Sequence, residues 1–549
     1  MKRSLSILQG LFIVLATSAL LVGCKSRHYV LQEVVPHRIE VTKALDVSPS
    51  AEAEVFIAPF RSGVDSLRAP YIGQSELYMS NGRPESLLSN WVADAFVAIG
   101  ERQGYHPDLG VCNMGGLRAA MPQGTVRRGD ILAISPFDNY FTVLKMRGSD
   151  VMALFQDMAA LRGEGVSSSA HLEITSDGQL KSATLAGKPI DPERTYTIAT
   201  IDYLADGNDK LYSFKRAVER IDSKILMNEL LMDYLRDLDR KGLKATAKIE
   251  GRVTIVDADE AMIHAQQKVA GKDGNEDVEQ PIRIESQPYN RTKTLVVVHT
   301  NDTHSCVEPL NPLLADTAQA DKGGYLRRAA LVRDLRKYNP NLLLVDAGDF
   351  SQGSAYYTLY HGDVEVGLMN LMHYDAATIG NHEFDFGLEN MARLFRLATF
   401  PIVCCNYDFS GTPVEGLVKP YTIVRRMGLK IGIVGVSPQL EGLVAAHTCE
   451  GVRFSDPIQT VQSVADYLKQ QAHCDLVVCL SHLGWNVAGI SDEELIAGPR
   501  NIDVGIGGHS HTYFRCPEVL QNADGRTVID NQMGKNGRYV GTLNLRLTR

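Results

Sequence analysis

The densest polar turn in the chain is "TIGNHEFDFG", Thr378 to Gly387. An apolar approach ends at Gly380. Asn381, His382, Glu383 and Asp385 follow, an amide, an imidazole and two acids within five positions. Groups of this kind bind metals or move protons. Four other apolar runs in the same half of the chain end in a similar way. "TLVVVHT" runs into Asp302 and His304, and "NLLLVDAG" into Asp349. "DLVVCLSH" delivers His482, and "IDVGIGGH" delivers His509 and His511. In open α/β sheets, sites form outside the carboxyl ends of strands. Five strand ends carrying nitrogen and oxygen ligands therefore predict one shared site.

The ligand types suit two metal ions. A carboxylate has two oxygens, so Asp349, set directly after a glycine, can bridge a pair. Imidazoles with carboxylates suit Mn, Fe, Co or Zn, and no thiolate is placed to specify zinc. Two ions about 3.5–4 Å apart clamp the oxygens of a phosphoryl group and acidify a water between them. Gly348, Gly380, Gly507 and Gly508 allow sharp turns at this point.

The elements that must position these groups fall in a second block, residues 294–549. There short apolar runs alternate with helix-like stretches such as "GGYLRRAALVRDLRKYN" and "IQTVQSVADYLKQQA". Buried strands alternating with helices predict an α/β sheet with covered faces. A first block, residues 55–257, reads as mixed α/β, with helix-like "ESLLSNWVADAFVAIGERQ" and strand-like "TYTIATIDYL". Residues 258–293 between them are polar, with glycine, proline and scattered charge, and read as a linker. Fully extended, such a segment reaches about 100 Å, so it hardly restricts how the blocks dock.

The N-terminus is expected to lie outside the fold. Lys2 and Arg3 precede a mostly apolar run that ends "LVGC", Leu21 to Cys24. A basic start, an apolar stretch and a small residue before the break are the features of a secretory signal, here residues 1–23. A cysteine directly after the small residue resembles the lipobox of bacterial lipoproteins. That resemblance implies cleavage before Cys24, lipidation of its sulfur and attachment to a membrane surface. Lys25 leans toward the outer membrane by analogy with sorting rules. Residues 24–54 are then an anchor and extension, and no later segment is apolar for the ~20 residues of a membrane span.

Composition sets the outer bounds. The chain has 549 residues, 44% hydrophobic and 22% charged, with a net charge of −9. This is the profile of a globular protein of two or three domains. The acidic balance argues against a nucleic-acid binder, but a metal can still draw in a small anion. Of the nine cysteines, the eight beyond Cys24 show no metal-type spacing. Most are expected to be buried thiols, and no protein partner is evident.

The order "DTH … GD … GNHE … H … GHSH" resembles the calcineurin-like metallophosphoesterases. "HTNDTH", "GNHEFDFG" and "GHSH" resemble in particular the 5′-nucleotidase branch. This implies a metallophosphoesterase β-sandwich covered by helices. It also implies one metal on Asp302, His304, Asp349 and His511, and another on Asp349, Asn381, His482 and His509. His382 would pair with Asp385 and act on the phosphoryl oxygen or leaving group. In the first block, "ESLLSNWVADA", "NMGGLRA", "SPFDNYF" and "DYLADGND" resemble the substrate-binding domain of the same enzymes. There Phe137 and Tyr203 would sandwich the base, and Asn113 would face it, with Asn139 of "SPFDNYF" also counted among the substrate residues. Asp209 would meet the ribose hydroxyls, and Arg118 would hold a phosphate or sugar oxygen. The activity implied is hydrolysis of nucleoside 5′-monophosphates for salvage. Alternatives are a nucleotide-sugar pyrophosphatase, a 2′,3′-cyclic-nucleotide phosphodiesterase or a non-catalytic nucleotide-binding lipoprotein.

Two departures from the family pattern stand out. The substrate domain precedes the metal domain, the reverse of the usual order. The glycine-rich "NGGD" appears as Asp206–Gly207–Asn208–Asp209, with Tyr203 where Phe is common. The arginines before the "ES" motif are also poorly matched, Arg83 being a weak candidate.

Overall fold

The structure is a computed structural model that describes residues 28–257, 280–284, 291–312, 314, 318–487 and 489–549. The signal, Cys24 and most of the linker lie outside the described residues.

The second half of the chain folds as two sheets packed face to face. The larger has eight strands in the order 282–283, 30–40, 539–548, 292–300, 343–346, 376–377, 402–403 and 418–419. The smaller has six, in the order 421–426, 429–436, 476–481, 504–506, 527–531 and 518–521. Side chains alternate between faces along a strand, and here both faces are buried. Val297, Leu343, Val345, Leu476, Val478 and Leu480 meet in the layer between the sheets. Val298 and Leu344 face helices on one side, and Val477 and Cys479 on the other. Near-continuous apolar runs are what a strand covered on both faces requires. The expected helix-covered sandwich is what forms.

The first half is a separate mixed α/β body with its own core. It holds a five-stranded sheet ordered 219–226, 140–147, 195–201, 109–112 and 165–166, and a four-stranded sheet. The helix Leu87–Arg102 buries Leu88, Trp91, Val92, Phe96 and Ile99 against them. Ser86 starts that helix with a capping box, its hydroxyl accepting from the Ser89 amide while Ser89 answers the Ser86 N–H.

The boundaries differ from those read in the sequence. Residues 28–54, the described part of the expected anchor and extension, are not an appendage. The strand Val30–Glu40 enters the larger sheet antiparallel to the last strand, Tyr539–Thr548, from Val30↔Thr548 to Glu40↔Tyr539. Leu31 and Val34 are buried between the two sheets. Part of the expected linker is also sheet, since Ile282 and Arg283 pair with Val34 and Glu33. The boundary at 55 cuts through the helix Ala51–Arg68, whose buried residues Ala53, Ile57 and Val64 join the core of the second domain. Few of these contacts are local. Short apolar stretches flanked by polar residues gave no periodic signal strong enough to assign them to a partner hundreds of residues away.

Of the eight described cysteines all are free. Four are buried, three half-buried, and Cys516 exposed, so half and not most are interior thiols. No helix among the described residues is long and apolar enough to cross a membrane.

If the N-terminal strand is integral, Val34→Asp places an unpaired charge between the sheets. It should lower stability by several kcal/mol, about 3 or more. Val55→Asp, at a position 78% exposed, should stay within about 0.5 kcal/mol. Urea unfolding of the two variants compares them directly, and equal effects would reject the integral role.

Candidate metal centre and nucleotide cavity

Each sequence-selected ligand sits just past the carboxyl end of a strand. Asp302 and His304 follow Thr292–Thr300, Asp349 follows Leu343–Asp346, and Asn381 follows Ala376–Ala377. From the opposite sheet, His482 directly follows Leu476–Ser481, and His509 and His511 follow Val504–Ile506. The site therefore lies across the matching edges of both sheets. The backbone bends hard to get there. Asp302, His304, Asp349, His509 and His511 all have left-handed φ, between 43° and 68°. Such conformations cost non-glycine residues on the order of 1 kcal/mol each and collect at functional sites.

The side chains converge. Asp302, His304 and His511 form one group whose ligand atoms lie within 4.8 Å of one another, and Asp349, His482 and His509 form a second. A third group overlaps both, joining His304, Asp349 and His382. His304 Nε2 and His511 Nε2 are 2.9 Å apart. His482 Nδ1 is tied to the Ala347 carbonyl at 2.7 Å, which leaves Nε2 facing Asp349 Oδ2 at 3.2 Å and Asp302 Oδ1 at 4.0 Å. A ring nitrogen bound to a carbonyl fixes the tautomer and turns the other nitrogen toward a metal. Asn381 Oδ1 is 2.9 Å from His509 Nδ1.

The charges follow from burial. Burial would raise Asp349, but the imidazoles of His482, His382 and His304 outweigh it and hold the carboxyl well below its ordinary range. Burial disfavours the charged form of His482, yet Asp349 and Asp302 more than reverse this and raise it to about 10. Burial pushes Asp302 up to about 7 against the pull of His482. Burial lowers His304 and His511 well below the ordinary imidazole value, and His509 to about 3. Burial thus favours the neutral, ligating form of three imidazoles, and the neighbouring Asp349 and Asp302 favour the charged form of His482. This donor set fits two divalent cations with mixed nitrogen and oxygen ligands.

His382 Nδ1 lies 3.0 Å from Asp385 Oδ2, and the His382 amide donates to Asp349 Oδ1 at 2.9 Å. Burial lowers His382, but Asp385 and Asp349 outweigh it and raise it above its ordinary value. Glu383 stitches two turns together. Its carboxylate accepts from the Gly380, Asp349 and Ser351 amides at 2.6, 3.1 and 3.2 Å, and from Ser351 Oγ at 2.7 Å.

A cavity of about 510 Å³ joins this centre to the first domain. All six substrate residues read from the sequence line it: Asn113, Arg118, Phe137, Asn139, Tyr203 and Asp209. The Phe137 ring centroid is 5.8 Å from that of His382, and the Arg118 guanidinium lies 5.8 Å over Phe137. Arg118 Nη2 comes within 3.4 Å of His304. The Tyr203 hydroxyl donates to Asp209 Oδ1 at 2.9 Å and reaches the Leu443 carbonyl at 3.2 Å. Asn113 Nδ2 donates to Asp209 Oδ2 at 2.6 Å. Both domains of one chain therefore complete the cavity. Arg83 does not line it; it pairs with Glu164 and donates to the Gly163 carbonyl at 2.9 Å.

Sequence reasoning missed three contributors. Gln352 lines the cavity with its amide buried and without a partner. Residues 443–445, 447 and 448 supply a wall from the second domain. Lys535 carries a half-buried ammonium that burial and Arg118 hold down to about 8. None belongs to a recognisable motif, and each reaches the site only through folding.

Residues 295–513 match the family model of the calcineurin-like phosphoesterases, and residues 71–216 match that of the 5′-nucleotidase C-terminal domain. The two segments stand in the reversed order that the sequence shows. The 5′-nucleotidase of Homo sapiens is 32% identical over 270 residues, which is 46% of this chain and 46% of that protein. The snake venom 5′-nucleotidase of Crotalus adamanteus is 32% identical over 269 residues, 46% and 45% of the two chains. The crystal structure of a 5′-nucleotidase precursor from Thermus thermophilus is 33% identical, covering 46% of this chain and 50% of that one, with a TM-score of 0.42. The chain spans about half the length of the curated relatives it matches.

A test of the centre follows from Gly380. A Cβ there would lie 2.1 Å from Asp349 Oδ1 and 2.5 Å from its amide nitrogen. Gly380→Ala should weaken Mn²⁺ binding at least about tenfold, the effect of losing a well-placed neighbour of a ligand. Gly82→Ala, with nothing within 4 Å, should bind as the parent does. Calorimetric titration with Mn²⁺ reads both.

Proposed function

We propose that the chain is a metal-dependent phosphoric ester hydrolase that converts nucleoside 5′-monophosphates to nucleoside and phosphate. The observation that carries this reading is the single cavity joining the Asp/His clusters to Phe137, Tyr203 and Asp209. Arg118 is the one guanidinium or ammonium among the described residues that line it, which suits one phosphate better than a chain of two or three.

Residues Asp302, His304, Asp349 and His511 would hold one divalent ion, and Asp349, Asn381, His482 and His509 the other. Two such ions supply Lewis acidity to the phosphoryl oxygens and to the attacking water. This chain's own residues do the rest. Arg118 binds a phosphoryl oxygen and orients the group. Phe137 and Tyr203 offer faces to the base, a contact of about 1–3 kcal/mol per base that tolerates base identity. Asp209, oriented by Asn113 and Tyr203, accepts from the ribose hydroxyls. His382, with Nδ1 held by Asp385, presents Nε2 for proton transfer. Water adds to phosphorus, the bond to the ribose 5′-oxygen breaks, and that oxygen leaves with the proton from His382. Asp385 keeps the imidazole oriented and charged before it gives the proton up.

We also read the chain as exported and held at a bacterial membrane through lipid on Cys24. The basic start, the apolar run and the "LVGC" ending support this. Its work there is to dephosphorylate nucleotides so that nucleosides can be taken up.

Purified protein loaded with Mn²⁺ should release phosphate from AMP, and a chelator should stop it. Metal-loaded protein that binds AMP yet turns over no phosphate ester would end the enzyme reading. His382→Ala should lower turnover by about a hundredfold or more, the scale of a lost general acid, with metal content near that of the parent. Phe137→Ala should raise KM for AMP roughly tenfold, within the range of one lost stacking contact, and change kcat much less.

A further inference from the structure

The loop that presents His509 and His511 is strained, and one buried side chain outside every motif holds it. His509 and His511 have φ of 68° and 55°, conformations that non-glycine residues leave unless held. Gln532 lies just beyond the strand Thr527–Asn531 and has no exposed surface. Its Nε2 donates to the Gly508 carbonyl at 2.9 Å. Its Oε1 accepts from Ser510 Oγ at 2.9 Å and from the Thr512 amide. One amide therefore grips the chain before His509, between the two histidines and after His511.

The grip has an anchor of its own. Asn301 Oδ1 accepts from the Met533 amide at 2.9 Å, and its Nδ2 donates to the Gly534 carbonyl at 2.8 Å. The same Nδ2 donates to Asp302 Oδ2 at 2.6 Å. Asp302 Oδ1 in turn accepts from the His509 amide at 3.0 Å. Asp302, Asn301, the turn 532–534 and the His509–His511 loop thus form a closed ring of hydrogen bonds. Neutral amides suit both corners. A carboxylate at 532 could not donate to the Gly508 carbonyl, and it would add charge near Asp302.

We propose that Gln532 is a positioning residue for the metal centre, fixing the approach of His509 and His511 through both ends of its amide. The proposal rests on the metal reading of the site. It concerns a residue outside both matched segments, 71–216 and 295–513. Gln532 touches no substrate; it acts through the loop.

The test is Mn²⁺ titration of the full chain by calorimetry, with phosphate release from AMP measured alongside. Gln532→Met keeps length and removes every side-chain hydrogen bond of the residue. It should weaken Mn²⁺ binding tenfold or more, with turnover largely recovered at saturating Mn²⁺. Gln532→Glu keeps the shape, loses the donor to the Gly508 carbonyl and should weaken binding about threefold. It decides the matter if Gln532→Met fails to fold. Gln521→Ala, at an exposed position on a neighbouring strand, should bind Mn²⁺ as the parent does. Parental Mn²⁺ affinity in folded Gln532→Met would overturn the proposal, and so would lost turnover that excess Mn²⁺ does not restore. If the parent binds Mn²⁺ but hydrolyses no ester, the proposed function fails, and the affinity comparison still decides the role of Gln532.

Discussion

Asp349 is a carboxylate with almost none of its surface in water, and the site depends on how that charge is met. A buried carboxylate must be paired and hydrogen-bonded or lose its charge. Here the His382 amide binds one oxygen and His482 faces the other. Its own amide donates to Glu383, and Gly380 passes so close that no side chain fits. The turns after three strands are therefore shaped around one acid. A positive charge must also stand near it. His482 faces the acid at 3.2 Å, and Asp349 and Asp302 together raise that imidazole above its ordinary value, favouring its charged form.

The same demand explains the backbone. Strands end pointing outward, and a ligand side chain from a regular continuation would diverge from its neighbours. Left-handed residues at Asp302, His304, Asp349, His509 and His511 turn the chain so that side chains from two sheets meet. The cost is local and the compensation is distributed. Glu383 secures one pair of turns, and Asn301 and Gln532 secure another. The strain persists because the two sheets beneath are close-packed, with buried apolar side chains on both faces.

Domain order does not prevent a complete site within one chain. The N-terminal strand Val30–Glu40 is built into the second domain's sheet, and the helix Ala51–Arg68 packs on the same domain. The first domain is thus reached from a fixed base and not from a loose end. Phe137 meets His382, Arg118 meets His304, and Tyr203 meets Leu443, all across the domain boundary. The candidate substrate residues and the candidate metal ligands come to face each other in one cavity although 71–216 precedes 295–513.

Local chemistry determined much of this. Apolar runs buried on both faces specify strands, and polar groups directly after them specify a site at strand ends. The seven candidate ligands were therefore legible as residues, while the His382–Asp385 pair and the six cavity residues were legible only through short motifs that resemble those of the 5′-nucleotidases. Their convergence was not, because distances between His482, Asp302 and Gly508 are set by sheet packing and not by spacing along the chain. The membership of Val30–Glu40 in the sheet escaped for the same reason: its partner, Tyr539–Thr548, lies at the other end of the chain, and strand pairing leaves no mark on either stretch alone. Gln352, Gln532 and Lys535 look like ordinary polar residues in sequence. Only the fold, by burying them beside a charged centre or a strained loop, made their hydrogen-bonding groups matter.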